Sequence, residues 1–499
     1  MEKRTLKVLF LAAEADPFVK VGGLGDVGGS LPKALRSLSP VIQQEGEEGG
    51  SSKGMETDID VRLVIPWHGA IEQRGFSPNK LVSFERSNSL PVDVFELPWA
   101  GLPVYFISTP YIQAESPVYS NDLKADGLKY VSFSLAALEL ANILNWKPDV
   151  LHANDWHTAP AVYALSLDRQ KGSFFAHTAT IMGLHNLPYL GSGASEALAT
   201  FKLPPVTHPL LPEWARYLPL VLGLYGADHI VVASPNYARE ILTPEFGSGL
   251  HVFLRSRAGA ISGILNGLDI ERWDPATDPA LVVKYDRDHL QARLGNKLAL
   301  QQELGLPVDP GTPLFGLVSR MDYQKGIDLI PPALQMLGGE QWQAVILGTG
   351  DASIEASACR LETDFPDRAR ATIRFDAPMS RRIFAGADAL LIPSRYEPCG
   401  LTQLIAMRYG CIPIARATGG LQDTIVDYQR GAQSTGFLFQ QASSEALAEA
   451  MRRAIQVYQF QEEWQGMQLT GMAQDLSWRR FAYQYFELYS SLAEKRKRL

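Results

Sequence analysis

Short apolar runs rich in β-branched residues recur along the chain and alternate with longer stretches of helical period. In the first half they fall at 8–12, 61–65, 104–107, 150–153, 180–184 and 229–233. The pattern then restarts, with runs at 314–318, 344–347, 372–375, 389–392 and 412–415. Strands that alternate with helices build parallel sheets covered on both faces. The pattern therefore predicts an α/β chain of two doubly wound, Rossmann-like domains joined near residues 258–266. Ligands of such sheets bind beyond the carboxyl ends of the strands, so two domains facing across a cleft would offer two sets of those ends. Farther on, Phe481, Tyr485, Leu488 and Leu492 recur at helical spacing, which predicts a packed helix over 478–499.

Composition narrows the picture. At 499 residues, with 46% hydrophobic positions, the chain can bury two or three substantial cores. Residues 44–58, rich in Gly, Glu and Ser, bury too little to fix a structure and read as a mobile loop. A net charge of -8 gives no basic footprint for nucleic acid, and none is expected as a partner. The run Lys495, Arg496, Lys497 and Arg498 reads as a solvated helix end. No apolar stretch approaches the roughly 18–20 residues that span a bilayer, and the opening run from Val8 is too short for a signal segment. No membrane partner is expected. Cys359, Cys399 and Cys411 lack metal-ligand spacing and suit a reduced, cytoplasmic location.

Candidate chemistry follows the strands. Residues 20–29, KVGGLGDVGG, lie between the first strand and a helix predicted to begin near Ser30. Glycine N–H groups and Lys20 at such a turn suit a phosphate, although a plain turn would look the same. Gly23, Gly25 and Gly28 also match the spacing of a dinucleotide fingerprint. Against that, some ten residues separate strand from glycines, and the acidic candidates Glu47 and Glu48 fall in the mobile loop. In the second half, Arg320 and Lys325 flank a strand-to-helix junction, where two cations can neutralise a pyrophosphate. Either alone also suits a surface ion pair. Glu397 in EPCGLT can accept from a sugar hydroxyl or cap a turn. Residues 417–420, ATGG, form a second glycine turn, for close ligand approach or as a plain turn. Gly350 and Phe375 stand where strands end, as a base and its stacking partner require, while an aromatic there equally suits a core. His152, His157 and His185 beside Trp156 read as structural rather than as metal ligands.

Longer motifs then carry a resemblance. KVGGLGDV at 20–27, HANDWHTA at 152–159, HNLPYLG at 185–191, SPNYAREI at 234–241, TPEFGSGL at 243–250 and GILNGLDIERWDPATD at 263–278 are followed by RMDYQKG at 320–326, PSRYEPCGLTQLIAMRYG at 393–410 and ATGGLQDT at 417–424. From about residue 7 to 490 the chain resembles the bacterial glycogen synthase and plant starch synthase family of retaining glycosyltransferases. The resemblance implies the GT-B fold, with residues 1–258 as the glucan-acceptor domain, 259–477 as the nucleotide-sugar domain and 478–499 as a helix packing back on the first.

It also implies transfer of glucose from ADP-glucose to the non-reducing end of an α-1,4-glucan, with no metal or other cofactor. By position, Lys20, Gly22 and Gly23 would contact the donor phosphates, and Arg320 and Lys325 would hold the diphosphate. Glu397 would contact the transferred glucose, Asp155 and His185 would be donor-sugar residues, and Asn266 would lie near them. Cys399, Gly400, Leu401 and Thr402 would meet the phosphates through their backbone, with Gly350 nearby and Phe375 against adenine. The family's Arg-Phe pair is here Lys129 and Tyr130, its Lys-Ala-Gly is Val221, Leu222 and Gly223, and Ile405 stands where related families carry a second glutamate. A UDP-glucose donor, or a catalytically silent glucan-binding protein of the same fold, would share most of these residues.

Overall fold

The computed structural model describes residues 4–38, 57–86, 90–169, 172–430 and 433–498. Its chain divides into two units, Met1–Gly267 with Trp478–Leu499, and Leu268–Ser477. Among the described residues the first unit carries β1 (Arg4–Leu11), β2 (Thr57–Pro66), β3 (Asn79–Arg86), β4 (Leu90–Glu96), β5 (Val104–Ser108), β6 (Val150–Asn154), β7 (Ala179–Leu184), β8 (His229–Val232) and β9 (Ile261–Gly263). They form one sheet in the order β3-β4-β5-β2-β1-β6-β7-β8-β9. The second unit carries β10 (Leu314–Val318), β11 (Gln343–Gly348), β12 (Ala369–Ile373), β13 (Ala389–Ile392), β14 (Ile412–Arg416) and β15 (Phe437–Phe439), in the order β12-β11-β10-β13-β14-β15. Six helices bear on function: α1 (Gly23–Ser37), α2 (Leu123–Ile143), α3 (Asp155–Leu167), α4 (Thr402–Arg408), α5 (Gly419–Thr424) and α6 (Trp478–Lys497).

Every pairing in the second sheet is parallel. β10, β11, β13 and β14 are buried almost throughout, which is why they read as apolar runs, whereas β12 at the edge is mostly half-buried. The first sheet is mixed, because β3 and β4 add to β5 antiparallel. β4 alternates buried with open positions, and β3 at the margin has no fully buried residue, the signature of a half-solvated edge that a search for continuous runs passes over. Of the predicted mobile loop, residues 44–56 lie outside the described residues, and Thr57 and Asp58 open β2.

β9 pairs with β8, so residues 259–267, which the sequence assigns to the second domain, belong to the first unit. The chain returns to that unit as α6. Trp478, Phe481, Tyr485 and Tyr489 are buried in one apolar cluster with Val8 and Phe10 of β1 and Val61 and Leu63 of β2. Aromatic burial of this kind contributes about 2 kcal/mol per side chain. The basic end of α6 is not merely solvated: Lys497 pairs with Asp149 at 2.6 Å, and Arg496 lies 4.0 Å from Asp228.

In each sheet the chain builds one side of a central strand first and then resumes on its other side. The reversal falls between β1 and β6 in the first unit, and between β10 and β13 in the second. A crevice opens at such a reversal, because the loops leaving the two neighbouring strands run to opposite faces.

Candidate active site

At the first reversal, β1 ends and the chain turns through residues 12–22 into α1. The glycine run predicts a helix only from near Ser30, whereas the helix begins at Gly23. Close packing explains the difference. A Cβ on Gly28 would stand 2.4 Å from the carbonyl oxygen of Glu14, and one on Gly29 would stand 2.0 Å from that of Asp16. These two glycines therefore let α1 lie against the turn and are not ligand contacts.

Glu14, 1% exposed, reaches back into the same turn. Its carboxylate accepts from the N–H of Val21, from the N–H of Gly22 at 3.1 Å and from the Tyr119 hydroxyl at 2.9 Å. Gly22, expected to turn its N–H to a phosphate, thus gives it to Glu14. Gly23 is exposed and heads α1, whose first turn no side chain caps, so its N–H suits an anion. Lys20 pairs with Asp26 at 2.6 Å and stays partly open to solvent, within reach of a competing phosphate. Burial pushes the Glu14 carboxyl up, against the pull of its three hydrogen bonds, and nearby Asp26 pushes it further.

β6 hands over to α3 at Asp155, which has a φ of +53°. A residue other than glycine holds that left-handed conformation at a cost of about 1–3 kcal/mol, and such strain gathers at functional sites. The Asp155 carboxylate accepts the N–H of His185 at 2.8 Å and that of Asn186 at 3.4 Å. His185 directly follows β7, and its Nε2 lies 2.9 Å from Asn154 Oδ1. Asn154 Nδ2 donates to the carbonyl of Leu11 at 2.8 Å, which turns its oxygen to the ring, so Nε2 carries the proton and Nδ1 is the acceptor.

Burial lowers the His185 pKa against the pull of Asp155, and burial raises that of Asp155. The carboxyl ends of β1, β6 and β7 are thereby tied into one constellation. Asn154 is a member that sequence reasoning missed; its only signal was the amide beside Asp155 in HANDW. Asn266, 6% exposed, lies just beyond the end of β9. His152 sits deeper, its Nδ1 2.6 Å from the Tyr489 hydroxyl of α6. Burial holds His152 and His157 neutral, each with a pKa of about 3.

The second reversal brings Lys325 and Glu397 together. Asp322 caps the short turn Tyr323–Lys325 that follows β10, accepting from the Lys325 N–H at 3.0 Å. Lys325 Nζ lies 2.6 Å from Glu397 Oε2, to which Ser394 also donates at 3.0 Å. Glu397 is 7% exposed. Arg320 pairs with Asp322 at 3.1 Å and keeps most of its side chain open. The glycines of ATGG serve packing: a Cβ on Gly419 would stand 1.9 Å from the Glu397 carbonyl oxygen, and one on Gly420 would stand 2.0 Å from that of Cys399. They bring α5 onto the backbone of residues 397–399 and fix the path of that segment. Cys399, Gly400 and Leu401 then lead into Thr402, the first residue of α4.

Gly350 follows β11 and donates its N–H to Glu355 at 2.7 Å. Phe375 does not end its strand as predicted. β12 stops at Ile373, and Phe375, two residues on, is 88% exposed, so it is no core aromatic. Along this edge the expected residues therefore fall in spatial order: Phe375 after β12, Gly350 after β11, Arg320 and Lys325 after β10, and Glu397 with residues 399–402 after β13. Among the described residues no group of three or more His, Cys, Asp or Glu could hold a metal ion.

Known proteins share this chain's sequence and architecture. The starch synthase catalytic domain matches residues 7–42 and 52–256, and the glycosyl transferases group 1 domain matches residues 302–465. A glycogen synthase of Anaeromyxobacter dehalogenans is 39% identical, covering 98% of this chain and 100% of that protein. One of Thermotoga maritima is 37% identical, covering 98% and 99%. The solved catalytic domain of starch synthase IV from Arabidopsis thaliana, bound to ADP and acarbose, superposes with a TM-score of 0.83 at 31% identity, covering 98% and 99%. Two doubly wound units in one chain are the GT-B architecture. No helix among the described residues is long and apolar enough to cross a membrane. With both halves matched and glycogen synthases similar over nearly the whole length, the chain is a glycosyltransferase and belongs to the glycogen synthase and starch synthase family.

Proposed function

We propose that the protein transfers glucose from ADP-glucose to the 4-hydroxyl at the non-reducing end of an α-1,4-glucan, with retention of configuration, in the cytoplasm and without metal or cofactor. The observation that carries this reading is the order of groups along the second sheet's carboxyl edge. Strands lie about 4.8 Å apart, so the three steps from β12 to β13 run roughly 14 Å. An extended nucleotide sugar laid along them sets its base on Phe375, its diphosphate at Arg320 and Lys325, and its glucose at Glu397. ADP, bound in the starch synthase IV structure, supports an adenine nucleotide.

Lys325 and Glu397 neutralise each other at 2.6 Å. A diphosphate competes for the ammonium, and Glu397 is then released to accept from a glucose hydroxyl. Double displacement needs a carboxylate free to attack C1. Asp155 is engaged by two backbone N–H groups, and Glu397, once released from Lys325, by the glucose hydroxyl and by Ser394. Same-face attack fits better. The acceptor's 4-oxygen bonds to C1 as the C1–O bond to the diphosphate breaks, and the hydroxyl proton passes to the departing phosphate oxygen. Arg320 and Lys325 stabilise the charge that develops there. In the first unit, Lys20 and the Gly23 N–H suit the phosphates, while His185, Asp155 and Asn266 suit the glucose.

The test is incubation of the purified protein with glycogen and ADP-glucose, UDP-glucose or NAD. ADP release with growth of α-1,4 chains is expected. Faster release of UDP would replace the donor, and transfer from neither sugar nucleotide would refute the reading.

A further inference from the structure

The turn between β1 and α1 holds its own carboxylate where a phosphate loop would meet its ligand. The two oxygens of Glu14 take the N–H groups of Val21 and Gly22 and the Tyr119 hydroxyl. Tyr119 is itself held from below by α2. Lys129, 2% exposed, donates to the carbonyls of Pro117 and Val118 at 2.9 and 3.0 Å and pairs with Asp126 at 2.7 Å. The Tyr130 hydroxyl donates to the Val118 carbonyl, and Asp126 accepts the Ser120 N–H at 2.8 Å. Lys129 and Tyr130, where this chain departs from its family's pattern, thus fasten the segment that steadies Glu14.

We propose that Glu14 is a positioning residue for the donor: by taking the N–H groups of Val21 and Gly22, it fixes the turn in the shape that leaves Gly23 and Lys20 to meet the diphosphate. This inference rests on the ADP-glucose reading above. An internal anion can instead act as a plug that phosphate displaces. Burial argues against a plug: the Glu14 side chain is 1% exposed, so a phosphate taking its place would be stripped of water. Protonation of Glu14, favoured by its burial, removes one accepting oxygen and loosens the turn. Lys20 and Asp26 on the side of α1, Tyr119 with Asp155 beyond it, and Asp126, Lys129 and Tyr130 on α2 are the charged and titratable groups around it.

The test is steady-state kinetics of the wild type, Glu14→Gln and Tyr119→Phe, varying ADP-glucose and glycogen separately between about pH 5 and 8. Losing a charged acceptor of backbone N–H groups should raise the donor KM of Glu14→Gln about tenfold or more. Glycogen KM should stay within about twofold, and Tyr119→Phe should raise donor KM by about threefold. In the wild type donor KM should climb as pH falls, and in Glu14→Gln that climb should vanish. A merely structural role would lower the melting temperature without removing the pH dependence. Donor KM within about twofold of wild type in folded Glu14→Gln, or a lower KM as a plug requires, overturns the inference. Should Glu14→Gln fail to fold, an unchanged donor KM in Tyr119→Phe overturns it. A wild type that does not use ADP-glucose at all is instead a failure of the donor assignment.

Discussion

Replacing Lys325 by alanine removes a charge 2.6 Å from Glu397 and leaves that carboxylate with the Ser394 hydroxyl at 3.0 Å. At an effective dielectric near 20 the lost attraction is about 6 kcal/mol, most of which offsets the desolvation of the two ions. Lys325 is about a fifth exposed, so water enters the space it leaves. The net loss of stability should be about 1–3 kcal/mol, a few degrees in melting temperature. Turnover should suffer more. One preorganised cation on a leaving group contributes about 2.7–4 kcal/mol to the barrier, a fall in kcat of about 100- to 1000-fold. The assay is initial-rate ADP release at saturating glycogen, with calorimetry to establish folding. Glycogen KM should stay near wild type, because Lys325 is assigned to the diphosphate. A folded Lys325→Ala with kcat within tenfold of wild type, or a defect confined to glycogen KM, would refute this role.

Phe375→Ala removes a ring that is 88% exposed, so stability should move by less than about 0.5 kcal/mol. Donor KM should rise about two- to tenfold, the worth of an aromatic stack; unchanged kinetics with ADP-glucose would remove the ring from the donor site. Tyr489→Phe strips the hydroxyl that meets His152 and should cost about 1–2 kcal/mol in urea unfolding, with no loss if that bond is unimportant. Acid should destabilise the fold through His68, His152 and His157, whose pKa values burial lowers to about 4, 3 and 3. Between those values and about 6.5 the unfolded chain binds protons that the folded chain does not, so stability drops as pH drops, by up to about 1.4 kcal/mol per unit for each histidine. Glu14 and Asp155, raised by burial, act in the opposite sense. Equal stability near pH 7 and pH 5 would contradict the burial of these rings.

How much was legible depended on which physical signal each element carries. Strands buried on both faces, such as β10 and β13, announce themselves as continuous apolar runs. β4 was missed because it alternates and β3 because it buries no residue fully, and β9 and β15, at three residues each, are too short to show any period. The start of α1 was hidden because glycine lowers helix propensity, and four glycines among its first seven residues read as loop until the backbone beneath Gly28 and Gly29 is seen. The same blindness let Gly23, Gly25 and Gly28 imitate a dinucleotide fingerprint. Asp155 and His185 lie thirty positions apart and meet only because β6 and β7 are neighbours, so no local pattern could join them; the family resemblance did. Glu14 had no such help. Its one trace in the sequence is an acid ahead of a glycine run, where a phosphate loop has no use for negative charge.

The return of the chain to its first unit at Trp478 bears on how the protein is made. A ribosome adds about 5–20 residues per second, so synthesis of the 210 residues from Leu268 to Ser477 takes roughly 10–40 s. Throughout that interval the cluster that holds Val8, Phe10, Val61 and Leu63, covered by Val27, Leu31 and Leu35 of α1, lacks the side chains of Trp478, Phe481, Tyr485 and Tyr489 that complete it. The second unit can fold meanwhile, while the first waits for residues 478–497. Nascent chains should therefore hold the early half in a chaperone-dependent state until residues 478–497 emerge. A frameshift near residue 478 would disable the half of the molecule synthesised first.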